Sequence, residues 1–217
     1  MEHDNFGFWR WTFACGIAEF LGIALAALWW ILVDRLDPQP IALPSRLLML
    51  ALKGGSGIIE GAILGVAQAS VLCRRYPALS RRRWTVATAI FASVGWLIGS
   101  APSIFIVPAG TDPGPAFEPS LPEVSLFAAI FGLAVGAAFG GAQWLVLRHA
   151  AWRSGRWIVA NMVGWMVALP VIYIAASSGS GVAPIPEVIL RGLVSGLAAG
   201  LILGALLYPF ILRMPPR

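Results

Sequence analysis

In residues 57–74, GIIEGAILGVAQASVLCR, glycine occupies every fourth position from Gly57 to Gly65, and an arginine ends the stretch at Arg74. Residues four apart lie on one face of an α-helix, so the glycines form a stripe without side chains. In a bilayer such a stripe lets the backbone of a second helix approach closely. The stretch therefore predicts a membrane-spanning helix that packs tightly against a neighbour.

The same pattern returns in residues 132–148, GLAVGAAFGGAQWLVLR. Both copies place a glutamine three residues after the last glycine, followed by Val-Leu and an arginine. A third copy keeps the glycines but has Leu207 where the others have glutamine. The predicted helix-packing positions are Gly57, Gly61, Gly65, Gly132, Gly136, Gly140, Gly196, Gly200 and Gly204. This recurrence predicts a chain built from repeated helical units.

Composition places the chain in a membrane. Hydrophobic residues make up 59% of its 217 residues and charged residues 12%, whereas soluble domains carry roughly 45–50% and about 25%. Six apolar segments, each long enough to cross about 30 Å of hydrocarbon, lie at approximately 11–33, 52–73, 84–107, 124–147, 157–175 and 188–211. We expect an all-α integral membrane protein, one transmembrane domain over 1–217, with hairpin repeats at approximately 11–73, 84–147 and 157–211.

The basic residues lie mostly on one side of the predicted bundle. Eleven of the fifteen lysines and arginines share this side: Arg10, Arg74, Arg75, Arg81, Arg82, Arg83, Arg148, Arg153, Arg156, Arg213 and Arg217. The positive-inside rule then predicts a bacterial inner-membrane protein with both termini in the cytoplasm. This topology explains the net charge of +5 without a nucleic-acid partner. The expected partner is the lipid bilayer. A membrane protein or a second copy of this chain is a further candidate partner.

Several tryptophans lie at the predicted membrane boundaries. Five near the arginine-rich side are expected to form an interfacial belt, since indole rings favour the headgroup region: Trp9, Trp11, Trp84, Trp152 and Trp157. On the opposite side, Lys53 is expected to anchor its helix at the outer interface with its charge in water.

Two carboxylates lie inside predicted spans. Counting 1.5 Å per residue from the arginine-rich surface, Glu19 lies about 13 Å deep and Glu60 about 21 Å deep. Because a charge at the bilayer centre is costly, such residues usually face the bundle interior and serve function. Three roles fit: a shared proton or proton pathway, a neutral hydrogen-bonded clip between helices, and binding of a ligand or ion.

Three uncharged polar residues complete the candidate intramembrane site. Gln68, Gln143 and Asn161 lie five or six residues from the arginine-rich boundary, which is roughly 7–9 Å of depth. The glutamines share a face with their glycine stripes, so they point at a packed neighbour. They serve either as hydrogen-bonding glue between helices or as the lining of a polar vestibule.

Motifs of catalysis do not appear. Neither His3 nor His149 has a Cys, Asp or second His at metal-ligand spacing. The glycines are embedded in apolar helix rather than following a strand, which excludes a phosphate-binding loop. We therefore expect a non-enzymatic protein without catalytic residues, metal or other cofactor.

The repeated string G-x3-G-x2-Q-x2-V-L with its following arginine resembles a pattern in uncharacterised bacterial polytopic membrane proteins. The likeness covers roughly 57–106 and 132–174, and less of 188–212. It implies a helical membrane fold but no activity. Two functions follow from the residues. The first is transporter- or channel-like handling of a small solute or protons, and the alternative is a non-catalytic accessory or scaffold subunit of a larger membrane complex.

Overall fold

The computed structural model describes residues 7–37, 40–105, 120–177 and 184–217. Within these ranges the chain forms six long helices: α1 (Phe8–Asp34), α2 (Leu43–Arg75), α3 (Arg81–Phe105), α4 (Leu121–Leu147), α5 (Arg156–Ser177) and α6 (Ile185–Leu212). All six are long and apolar enough to cross a membrane. The predicted fold class, an all-α membrane protein of six helices joined as hairpins, is confirmed.

All six helices begin earlier than hydropathy predicts, α2 by the most. Helix α2 starts at Leu43, with Pro44 in its first turn, where the missing N–H of proline has no helical partner to lose. Helix α3 starts at Arg81, so the arginines expected in a connection lie in its first turn. Hydropathy reports only the segment that crosses the hydrocarbon, whereas a helix satisfies its own backbone and can extend beyond it.

The six helices close into a ring. Among the described residues each helix contacts its neighbours in chain order, and α6 returns to contact α1. The closest pairs are α2 with α3, α4 with α5, and α6 with α1. We call the end that carries the α2–α3 and α4–α5 connections the arginine end, and the opposite end the proline end. Each of the closest pairs therefore consists of two helices that are connected at the arginine end or, for α6 and α1, that end and begin there.

The glycine stripes form the contacts within these three close pairs. A Cβ added at the last glycine of each stripe would lie 2.8–2.9 Å from a Cα of the facing helix: Thr85 opposite Gly65, Ile158 opposite Gly140, and Thr12 opposite Gly204. Real Cβ atoms do not tolerate so close a backbone. Each stripe is therefore covered by a helix of the same chain.

The end of α6 joins the two connections at the arginine end. The Tyr76 hydroxyl donates to the carbonyl oxygens of Ile211 at 3.1 Å and Met214 at 2.9 Å. In the α4–α5 connection, the backbone N–H of Trp152 donates to the Pro215 carbonyl oxygen at 2.9 Å. These bonds tie the end of α6 to both connections at the arginine end.

Candidate functional site

Three tryptophans fill the interior of the ring at the arginine end. Trp11, Trp84 and Trp157 lie near the starts of α1, α3 and α5, and all three have no exposed surface. The ring centroid of Trp157 lies 6.1 Å from that of Trp11 and 5.6 Å from that of Trp84. The predicted interfacial position of these three was wrong. Their indole N–H groups find partners inside the protein, so the rings do not need the headgroup region.

Each indole N–H of this tryptophan triad donates to the glycine-rich helix that packs beside it. The acceptors are Gln68 Oε1 for Trp84 at 3.3 Å, Gln143 Oε1 for Trp157 at 2.8 Å, and the Gly204 carbonyl oxygen for Trp11 at 3.0 Å. The third copy of the motif lacks the glutamine, and a backbone carbonyl takes its place.

The two glutamines belong to one buried hydrogen-bond network. Gln143 Nε2 donates to Gln68 Oε1 at 3.1 Å and to Thr88 Oγ1 at 2.9 Å, and Gln68 Nε2 lies 3.9 Å from Cys15 Sγ. Asn161 is also buried, but its amide donates to the Trp157 carbonyl of its own helix at 2.9 Å. Gln68 and Gln143 are therefore hydrogen-bonded to each other, whereas Asn161 forms its hydrogen bond within its own helix.

Sequence reasoning missed Cys15 and Thr88. Each lies four residues after a tryptophan of the triad, as Asn161 does after Trp157. Residues four apart share a helix face, so this spacing was the signal that could have found both.

The two predicted carboxylates meet in the ring interior. Glu19 and Glu60 are both buried, and a Cβ added at Gly22, three residues after Glu19, would lie 3.0 Å from the Glu60 side chain, so the two acids are neighbours across the α1–α2 contact. Trp96 Nε1 donates to the Glu60 carboxyl. Among the described N–H and O–H groups, none donates to either carboxyl oxygen of Glu19.

This acidic pair, Glu19 with Glu60, occurs once in the ring. Glu60 directly precedes the second glycine of its stripe, where the other two stripes have Val135 and Ala199. Glu19 lies eight residues after Trp11, where α3 and α5 have Ala92 and Trp165. The surroundings correspond as well: a Cβ added at Gly22 would meet the Glu60 side chain, and one at Gly95 would meet Val135. The acidic pair therefore replaces apolar packing at one of three similar places.

A row of charged and aromatic side chains connects the acidic pair to the proline end. Lys53 Nζ lies 2.8 Å from Asp34 Oδ1 and 4.2 Å from the centroid of the Trp30 ring. Trp30 in turn contacts Trp96 with ring centroids 5.5 Å apart. The Asp34 side chain is 54% exposed. Lys53 itself is buried, which corrects the prediction that its charge reaches water: the helix-terminal carboxylate of Asp34 takes the place of solvent.

The described residues contain no group of three or more His, Cys, Asp or Glu that could hold a metal ion; His3 lies outside them. Two cavities stand out, one between α1 and α2 and one between α2 and α3, and both open on the outer surface of the ring. We find no match to this chain among family models, curated proteins or solved structures. Functional conclusions therefore rest on the residues themselves.

Proposed function

We propose that this protein moves protons across its membrane, with the acidic pair as the intramembrane proton carrier. The observation that carries this proposal is the burial of two adjacent carboxyl groups in the ring, with no described donor to either oxygen of Glu19. A charged side chain at the centre of a membrane helix costs about 2.5–3.5 kcal/mol on insertion scales. Such a cost is tolerated where the group serves function, and proton relays are a common use of intramembrane carboxylates.

The packing of the ring favours protons over larger solutes. The tryptophan triad and Gln143, which fill the ring at the arginine end, have no exposed surface. A solute needs a cavity, whereas a proton passes between hydrogen-bonding groups. Side chains that can both gain and lose a proton flank the acidic pair on both sides: Lys53 and Asp34 toward the proline end, and Cys15 toward the arginine end.

The orientation of this pathway follows from the arginines. The positive-inside rule supports a cytoplasmic arginine end and a bacterial inner membrane. In this arrangement protons enter from the outer side at Asp34 and reach the acidic pair before the glutamine network. The protein is then a non-enzymatic proton pathway, acting alone or coupled to a small solute.

The alternative role as an accessory or scaffold subunit loses its main support. Glycine stripes suggested docking of partners, yet Gly65, Gly140 and Gly204 face helices of the same chain. Purification in a mild detergent separates the two functions. A single monodisperse species favours the proton pathway, and stoichiometric co-purification of another membrane protein favours the accessory role.

Proton flux into liposomes tests the proposal. Purified protein is reconstituted with a pH-sensitive dye inside the vesicles, and a potassium diffusion potential drives proton entry. We expect Glu19→Gln and Glu60→Gln each to lower the flux at least tenfold, because the amide keeps the shape of the side chain but cannot exchange a proton in this way.

The matched control is Glu187→Gln, the same chemical change at an exposed carboxylate of α6, and it is expected to keep full flux. Size-exclusion chromatography and circular dichroism establish that the variants fold. Flux equal to that of empty vesicles for the native protein, or full flux in both pair variants, contradicts the proposal.

A further inference from the structure

The two cavities on the outer surface adjoin each other at α2. The larger, about 520 Å³, lies between α1 and α2, and the smaller, about 340 Å³, lies between α2 and α3. Val66 and Ser70 line both. The larger cavity is lined almost entirely by apolar side chains, whereas the smaller adds Arg81 and Arg82. We call the whole the α2 groove.

We propose that the α2 groove binds an anionic phospholipid from the leaflet at the arginine end, with an acyl chain between α1 and α2 and the phosphate at Arg81 and Arg82. This inference does not depend on proton movement. It rests on the shape of the groove, its length and its charge.

The shape follows from small residues on both helices. Ala14 and Ala18 of α1 face Ala62 and Ala67 of α2 across the larger cavity. α1 and α2 also contact each other less closely than the three glycine-stripe pairs do. Methyl side chains on a looser pair leave an apolar channel on the lipid-facing surface, where a flexible hydrocarbon chain is the molecule present in excess.

The length of the groove fits one leaflet. Ser70 and Ala62, which lie near its two ends, are eight residues apart on α2, a rise of about 12 Å. Half of a hydrocarbon core of about 30 Å is about 15 Å. A chain in the groove therefore runs from the headgroup level at the arginines almost to the middle of the bilayer.

The charge at the arginine end of the groove has no counterion among the described side chains. Arg81 and Arg82 are exposed, and among the described residues neither forms an ion pair or a side-chain hydrogen bond. Both lie in the first turn of α3, where the helix dipole is positive and repels a cation. The described Asp and Glu side chains lie in the ring interior or toward the proline end. A lipid phosphate supplies the missing negative charge and accepts the paired N–H donors of arginine.

Native mass spectrometry of the purified full chain tests the site, with phosphatidylglycerol and phosphatidylcholine of identical acyl chains added in detergent. We expect the protein to retain phosphatidylglycerol preferentially. The double variant Arg81→Gln with Arg82→Gln is expected to weaken retention about thirtyfold, since an arginine near an anionic surface contributes about fivefold. The double variant Arg74→Gln with Arg83→Gln removes the same charge beside the groove and is expected to change retention by less than about threefold.

The acyl-chain half of the site is tested by filling the groove without changing its charge. Ala62→Phe is expected to reduce retention of phosphatidylglycerol, and Ile17→Trp, at an exposed position of the same cavity, gives a second variant if the first does not fold. Ala138→Phe, at an exposed position of α4 outside the groove, is the control.

Four lipid-binding results overturn the proposal. They are equal retention of phosphatidylcholine, equal weakening by both arginine pairs, full retention after groove filling, and equal binding of glycerol phosphate without acyl chains. A delipidated dimer that both groove-filling variants dissociate also overturns it, because a second copy of the chain then occupies the groove.

Discussion

The arginine end and the middle of the ring are built differently. At the arginine end, three tryptophans with three acceptors on the neighbouring helices repeat the same arrangement around the ring. Toward the proline end, the acidic pair lies at one place, and the corresponding places have Val135 and Ala199 or Ala92 and Trp165. The repeated part contains packing and hydrogen bonds that hold the helices together. The part that departs from the repeat contains the groups that can exchange a proton.

The largest expected effect comes from removing the central tryptophan of the repeated part. Trp157→Ala deletes a fully buried ring that contacts both other tryptophans, and truncation of a core tryptophan costs about 3–5 kcal/mol. We expect a corresponding loss of the free energy of unfolding in denaturant titrations of detergent-solubilised protein. Trp9→Ala, at a ring that is 64% exposed, should cost less than about 0.5 kcal/mol. Equal losses in the two variants would exclude a structural triad.

A carboxylate at an equivalent place without a partner should be costly. Val135→Glu puts an acid beside Gly95, as Glu60 lies beside Gly22, but Ala92 stands where the second acid would have to be. We expect a loss of about 2.5–3.5 kcal/mol, with Val135→Leu as the apolar control. If Val135→Glu is as stable as the native protein, a buried carboxylate at this place does not need a second acid beside it, which contradicts the role given to the acidic pair.

Two adjacent glycines of α4 should respond in opposite directions to alanine. A Cβ at Gly140 would lie 2.9 Å from the Cα of Ile158, whereas one at Gly141 meets nothing within 4 Å. Gly140→Ala is expected to destabilise by about 1–3 kcal/mol through overpacking. Gly141→Ala is expected to stabilise by up to about 1 kcal/mol through helix propensity. Thermal unfolding in detergent checks both, and destabilisation by Gly141→Ala would contradict the packing described.

The smallest effect concerns a single bond of the glutamine network. Thr88→Val removes the hydroxyl that accepts a hydrogen bond from Gln143 Nε2 of α4 at 2.9 Å and also donates to the Trp84 carbonyl of its own helix at 2.8 Å. Hydrogen bonds between membrane helices contribute about 0.6 kcal/mol on average, so we expect a loss of that order in the same titration. Thr85→Val on the same helix is the control. A loss above about 2 kcal/mol would mean that the network acts as one unit with the triad.

Much of the candidate site was predictable from residue type and spacing. Gln68 and Gln143 follow their glycines at a fixed distance, and Glu19 and Glu60 are acids in apolar segments. Residue type and spacing left their meeting open as one of three roles, because residue counting placed the two acids at different depths, about 13 Å and about 21 Å. The burial of Trp11 could not be predicted either. Tryptophan is favourable both at a membrane interface and in a protein core, and which of the two it occupies depends on the residues that pack around it.

The amino-acid sequence by itself determined the six membrane-crossing helices and the glycine stripes, because hydropathy and four-residue spacing are properties of contiguous segments. Only the tertiary structure decided that α6 packs against α1 and closes the ring. It also decided that the acidic pair lies between α1 and α2 and that a lipid-sized groove opens beside α2. These features join residues far apart along the chain, and their positions depend on how whole helices pack, which no local pattern specifies.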